Sequence, residues 1–289
     1  KIEIPNKLMG ELLYEQTVVM LFAETGVGKT LLAFQLANAI SRGESILGLD
    51  NQSDPQTVLY VDMENGEKVF QSRYSEKQID GGKEIWYNEF KWDKRCKFLD
   101  LTDPTEYKVP SNNAIEWWFN LIKYKAETCE AKVIFIDNLF SIINEGGVES
   151  TKEVAPILRE LLGLKKSKGW TVIVIHHTPK KLNHALTRND LSGSSNLSNL
   201  VDGVIGINYS CYDNDEHSRY IKQIKPTRFS PVKYGDGNLI TCRTSAIQPN
   251  FIGFTKIELD EEDEEWKYES THLGKKKIPQ TEIYTEEQS

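Results

Sequence analysis

The sequence predicts an α/β fold: a mostly parallel sheet flanked by helices, with antiparallel strands added at the C-terminal edge. Three observations predict it. Residues 18–22, 57–62, 132–137 and 170–175 are apolar runs, the pattern of strands buried on both faces. Stretches between them repeat their apolar residues every three or four positions, as helices do. Late in the chain, residues 220–225 alternate apolar and polar, which suits an antiparallel strand.

The composition sets outer limits. A chain of 289 residues, 39% apolar and 27% charged, can bury a full core. No apolar run approaches a membrane span, and the first residues carry no secretory apolar region, so the expected location is cytoplasmic with no membrane partner. Four cysteines lie far apart, without the C-x-x-C spacing of a zinc site. The net charge of −8 argues against a surface coated in phosphate-binding lysines, while leaving room for a few basic loops to hold a polymer. Much of the excess acid sits in one run, ELDEEDEE at 258–265.

In chain order, residues 1–16 read as a lead-in segment in which Leu12, Leu13 and Tyr14 pack under the sheet. Residues 17–255 read as one α/β domain, 256–271 as the acidic run with a short β piece around Trp266, and 272–289 as a disordered tail. The first strand runs into Ala23-Glu24-Thr25-Gly26-Val27-Gly28-Lys29-Thr30 and then an apolar helix closed by Gly43. Strand, glycine turn and helix in that order are the context a phosphate-binding loop needs. Gly26 and Gly28 let successive N–H groups of Glu24, Thr25, Gly26, Val27 and Gly28 point inward, and the helix N-terminus adds positive charge. Lys29 would reach the β- and γ-phosphates, and Thr30 would place its hydroxyl on Mg²⁺. The strict motif has glycine where Ala23 stands.

The second strand, 57–62, ends in Met63-Glu64. Ligands of parallel sheets lie outside the carboxyl ends of the strands, so Glu64 is a candidate base beside the phosphates. A helix through Val69, Phe70 and Arg73 follows, then an irregular excursion over 74–95, a short strand at 97–101 and a helix at 114–125. In that last helix Trp117 and Trp118 read as core rather than as a stacking platform. The strand 132–137 ends in Asp137, placed to hold a Mg²⁺ shell, with Asn138 beside it. After a helix at 151–165, the strand 170–175 ends in His176-His177. Adjacent side chains of a strand face opposite ways, so the pair suits a polar sensor better than a shared metal. Either histidine could serve. The loop to Ser192 carries Lys180, Lys181 and Arg188 and is the candidate polymer contact.

This order of motifs resembles the RecA-like ATPase core, and within it the RepA-type hexameric helicase branch, near the DnaB-like and KaiC-like proteins. The resemblance spans about residues 12–228. It implies a RecA-like sheet, ATP and Mg²⁺ as cofactors, and a homo-oligomer, hexamer-like, with ATP between subunits. Lys29 and Thr30 would be the Walker A pair, Asp137 the Walker B acid, Glu64 the catalytic glutamate and His177 the polar sensor. Lys225 and Arg228 resemble the basic pair that reaches into a neighbour's site. Their spacing is Lys-Pro-Thr-Arg where the family has Lys-x-Arg, so both remain candidates for the finger. Loops 140–150 and 179–192 match the family's pore loops for single-stranded DNA. A second reading is an ATP-switched assembly protein that recruits a protein partner without helicase activity.

Overall fold

A computed structural model describes residues 4–103, 107, 114–138, 151–177, 184–191, 196–248 and 250–273. Its elements, in chain order, begin with the short strands β1 (Lys7–Met9) and β2 (Leu13–Tyr14), then β3 (Val18–Ala23) and α1 (Lys29–Arg42). Next come β4 (Val58–Asp62), α2 (Gly66–Tyr74), β5 (Glu76–Asp80), β6 (Lys83–Tyr87) and β7 (Cys96–Asp100). The middle of the chain holds α3 (Ala114–Thr128), β8 (Val133–Asp137), α4 (Thr151–Lys168) and β9 (Thr171–His177). The last part holds α5 (Asn196–Leu200), β10 (Gly203–Tyr209), β11 (Ser218–Lys225), β12 (Ile240–Gln248), β13 (Phe251–Lys256) and α6 (Glu269–His272).

Nine strands form one sheet in the order β13-β12-β11-β10-β3-β9-β8-β4-β7. From β10 to β7 all pairings are parallel, and from β10 to β13 all are antiparallel. This is the RecA-like α/β arrangement the sequence predicts. The sheet separates two apolar layers. Along β3, Val19 and Leu21 face α1, while Val18, Met20 and Phe22 face α3 and α4. Every residue of β3 is buried, which explains why its sequence shows no alternation. Trp118, Phe119 and Ile122 of α3 and Ile157, Leu158 and Leu161 of α4 fill the second layer. Full burial of each such side chain contributes roughly 1.5–3 kcal/mol. On the other side the rings of Phe34 and Tyr60 stack with centroids 4.0 Å apart, and Tyr60 stacks in turn on Phe135. Leu12, Leu13 and Tyr14 are buried, as the sequence implies.

Three expectations need correction. Residues 74–95 are not an irregular excursion with a short helix: they hold the end of α2 and the hairpin β5–β6. The hairpin exposes Ile79, Ile85 and Tyr87, so it lacks the one-sided apolar face that makes a strand readable. Around Trp266 there is no strand; Glu264–Lys267 form a 3₁₀ turn leading to α6. His272 falls within the predicted tail yet is buried, its ring tilted against Tyr220 with centroids 4.9 Å apart and hydrogen-bonded to Ser210 Oγ at 2.6 Å. Residues 274–289 lie outside the described residues. Loop 140–150 lies outside them as well, and of loop 179–192 only 184–191 are described. That part is packed, with Leu186 and Leu191 buried and a capping box at Thr187–Asp190.

Candidate functional site

The parallel strands β3, β4, β8 and β9 end side by side, in register: Asp62 pairs with Asp137, and Ala23 with His177. That register, set by the buried apolar runs, gathers the predicted side chains at one end of the sheet. The turn after β3 takes φ +82° at Gly26 and φ +113° at Gly28, then opens α1. At Gly28 a side chain would be strained, and its Cβ would stand 2.7 Å from Phe254 Cζ. Lys29 is buried and folds back over the turn, donating from Nζ to Ala23 O at 2.9 Å and Glu24 O at 2.6 Å.

Glu64 stands across from it. The turn that carries Glu64 is fixed by Asp62, whose carboxylate accepts the N–H groups of Glu64, Asn65 and Gly66 at 3.0, 3.0 and 3.1 Å. Glu64 Oε2 accepts from Asn138 Nδ2 at 2.7 Å and lies 2.9 Å from His177 Nε2. The other ring nitrogen of His177 is 3.3 Å from Thr25 Oγ1. A continuous chain therefore runs from the turn through His177 to Glu64 and Asn138. His176 points the other way and is buried, where loss of water pushes its pKa down to about 3. The structure thus brings His177 to the site and leaves His176 in the interior.

Asp137 is buried at the end of β8. Tyr60 Oη donates to its Oδ2 at 2.8 Å, and the Thr30 hydroxyl lies against the same carboxyl group. Burial pushes its pKa up to about 6; the Tyr60 and Thr30 contacts oppose this, and the charges of Asp62 and Glu64 add to it. Burial likewise lowers Lys29 to about 8, against the pull of Asp137, Glu64 and Glu24. The His177 contact is the main cause that holds Glu64 below the usual carboxylate range. Oδ1 of Asp137 has no aligned hydrogen-bond partner among the described residues. An orphaned buried carboxylate oxygen next to a threonine hydroxyl fits a hard divalent cation, and a lysine closed onto bare carbonyls fits a phosphate.

The model of the AAA domain family matches residues 1–183 of the chain. The chain belongs to this family, a family of RecA-like P-loop ATPases. Among solved structures, a KaiC-like protein from the hyperthermophilic archaeon Pyrococcus horikoshii OT3 superposes with a TM-score of 0.52 at 18% identity, over 85% of this chain and 91% of that one. The likeness is one of fold. No curated protein matches the chain. Among the described residues of this RecA-like ATPase, no helix is long and apolar enough to cross a membrane.

Two further residues of the ATPase lie at the P-loop and escape sequence reasoning. Tyr209 ends β10, the neighbour of β3, with its hydroxyl 3.6 Å from where a Gly26 Cβ would stand. The Arg219 guanidinium lies 4.1 Å from the Tyr209 ring centroid and donates from Nε to Val27 O at 2.9 Å. The available signal was weak: an aromatic residue at a strand end one position from the P-loop strand.

Lys225 and Arg228 do not join this cluster. Lys225 pairs in register with Val204, which faces Met20, and Arg228 lies beyond it, next to Asp202. Asp202 accepts the N–H of Val18, so this group sits at the start of β3. The P-loop is at the other end, ~17 Å away at ~3.3 Å per residue. Neither side chain reaches the P-loop of its own chain. Lys225 Nζ is occupied by Ser198 O at 2.8 Å and Val201 O at 2.6 Å, whereas the Arg228 side chain is 70% exposed.

Proposed function

We propose that this RecA-like ATPase binds ATP with Mg²⁺ between copies of itself, hydrolyses it, and couples the cycle to single-stranded DNA as a ring or filament with helicase-like or translocase-like action. The observation that carries the hydrolytic part is the contiguous chain Thr25–His177–Glu64–Asn138 facing Lys29. The N–H groups of Glu24, Thr25, Gly26, Val27 and Gly28 cradle the phosphates, and Lys29 leaves its two carbonyls to meet the β- and γ-phosphate oxygens. Thr30 and Asp137 would hold Mg²⁺, which when bound would supply positive charge to offset that of the phosphates. Glu64, kept ionised by His177 and Asn138, orients a water and accepts its proton as the water oxygen attacks the γ-phosphorus. His177 touches both that base and the P-loop, so it reports the γ-phosphate to the loop that follows β9. The Tyr209 ring, backed by Arg219, offers a face for the adenine.

A basic side chain that completes the site comes from a neighbour. Its support is the position of Lys225 and Arg228 at the far end of β3, with Arg228 exposed and Lys225 tied to carbonyls. Arg228 is therefore the finger of choice. Fingers supplied in trans raise phosphoryl-transfer rates by about 10³–10⁵, so an isolated copy hydrolyses ATP very slowly. The case for DNA rests on the loops after β8 and β9, 140–150 and 179–192, with Arg188 exposed on the described part.

A second reading, an ATP-switched assembly that recruits a protein, is favoured by the hairpin β5–β6, which exposes Ile79 and Ile85. One experiment separates the two. ATP turnover is measured over a range of protein concentrations, with and without single-stranded DNA, and the same samples are sized in ATP and in ADP. Specific activity that climbs with concentration and jumps with DNA supports the motor. ATP-dependent assembly with slow turnover indifferent to DNA supports the switch. Turnover independent of concentration refutes a trans site altogether.

A further inference from the structure

At the start of β3 one carboxylate organises a group of cations. Asp202 is buried, and its side chain is 2% exposed. Oδ2 accepts from Val18 N at 2.8 Å and from Lys165 Nζ at 2.8 Å; Oδ1 accepts from Lys165 Nζ at 3.1 Å and pairs with Arg228 Nη2 at 3.2 Å. Lys225 and Arg188 stand close by. Arg188 donates from Nε to Ile224 O at 3.5 Å, and burial, then the charge of Arg188, lowers the pKa of Lys225, which Arg228 lowers further and Asp202 opposes. Lys165 and Arg228 therefore share one anion directly, with Lys225 near enough to feel its charge and Arg188 beside Lys225. Lys165, with 11% of its side chain exposed, is locked to Asp202, and Lys225 is locked to two carbonyls. Arg228 differs from both, since it is largely in solvent and holds the carboxylate by one contact.

We propose that Asp202 is a positioning residue for Arg228: it parks the guanidinium in a lone copy and yields it when a neighbouring copy presents a nucleotide phosphate. This rests on the reading of Arg228 as a finger acting in trans. The exchange is permitted because Asp202 keeps Val18 N and Lys165 after Arg228 leaves, so no buried charge is stranded. It is also biased, because Arg228 leaves a carboxylate already shared with Lys165 and flanked by Lys225 for a phosphate with more negative charge. Exposed ion pairs are weak, so the parked state resists release only modestly.

The test reads the protein concentration that gives half-maximal ATP turnover, at low and at high salt. In Asp202→Asn the amide oxygen still accepts from Val18 or Lys165, but Arg228 loses its anion. The half-maximal concentration falls about two- to fivefold at low salt, the range of an exposed pair, and the gain disappears at high salt. In Lys165→Met, Asp202 keeps Arg228 as its remaining ionic partner, and the half-maximal concentration rises. A purely structural role for Asp202 weakens turnover in both variants; that outcome, or no change in either, overturns the proposal. Should Asp202→Asn melt early by circular dichroism, the Lys165→Met arm decides alone, a rise supporting the proposal and anything else overturning it. Arg228→Ala tests the underlying reading separately. If it keeps wild-type turnover and concentration dependence, the trans finger is wrong; if it loses turnover while the other two variants match wild type, only the parking is wrong.

Discussion

Gln35 joins two parts of the chain that lie far apart in sequence. From inside α1 its Nε2 donates to Phe254 O at 2.8 Å, and its Oε1 accepts from Phe254 N at 2.8 Å. Phe254 belongs to β13, an edge of the sheet, so Gln35 takes the place of a missing neighbouring strand. Both partners are buried. Gln35→Leu keeps the volume and strands one N–H and one C=O. Each stranded group costs about 1–3 kcal/mol, which sets the expected loss at about 2–6 kcal/mol. Against a typical total of about 5–15 kcal/mol this is a large share. A chain of 150–250 residues loses roughly 2–4 °C per kcal/mol and a longer one somewhat less, so the melting temperature falls by several degrees. The effect extends to the P-loop, because the Phe254 ring is what Gly28 packs against. Urea unfolding at fixed protein concentration measures the first effect, and titration with a fluorescent ATP analogue the second. A midpoint shift worth less than about 0.5 kcal/mol, the range of ordinary surface changes, refutes the reasoning. It would mean that water satisfies Phe254 as well as Gln35 does.

Lys29→Ala abolishes ATP binding, checked by calorimetry, because Arg219 is tied to Val27 O and no other cation of the described residues folds over the Ala23 and Glu24 carbonyls as Lys29 does. Glu64→Gln binds ATP with little change, and its turnover falls by about 10²–10⁴, the usual contribution of a general base; turnover at the wild-type rate sinks the assignment. Tyr209→Ala raises the KM for ATP several-fold and leaves kcat within about twofold, since base stacking acts on ground and transition state alike. Burial pushes the Cys96 and Cys242 thiols up to about 12, so at pH 8 they stay protonated and out of reach of a thiol reagent. Cys129 and Cys211 are partly exposed and react first, and all four react after unfolding in urea.

The end of the sheet that holds Glu64, Asp137 and His177 was legible because parallel strands all finish on the same side. Once 57–62, 132–137 and 170–175 read as strands, their last residues had to meet beyond β3. The antiparallel part was less legible. Tyr209 and Arg219 meet only because β10 and β11 pair beside β3, and Gln35 meets Phe254 only because β13 folds back over α1. Those contacts join residues with no local pattern in common. Alternation failed for β5–β6, where apolar residues point to both sides, and a tryptophan at 266 suggested a strand although its ring packs edge-on against Tyr212 within a helical turn. The pleat implied that His176 and His177 face opposite ways, but which of them meets Glu64 was not legible in the sequence, because nothing local tells the core side from the rim.

The strand that carries the P-loop pairs with partners made much later. Val18 pairs with Val172 of β9, and Val19 with Gly203 of β10. At about 5–20 residues per second of synthesis, β3 waits roughly 10–40 s before β10 exists. Both edges of this apolar strand are bare until β9 emerges, and one is still bare until β10 follows. The order of synthesis thus leaves the first strand of the large sheet open along one edge until the final third of the chain begins to emerge.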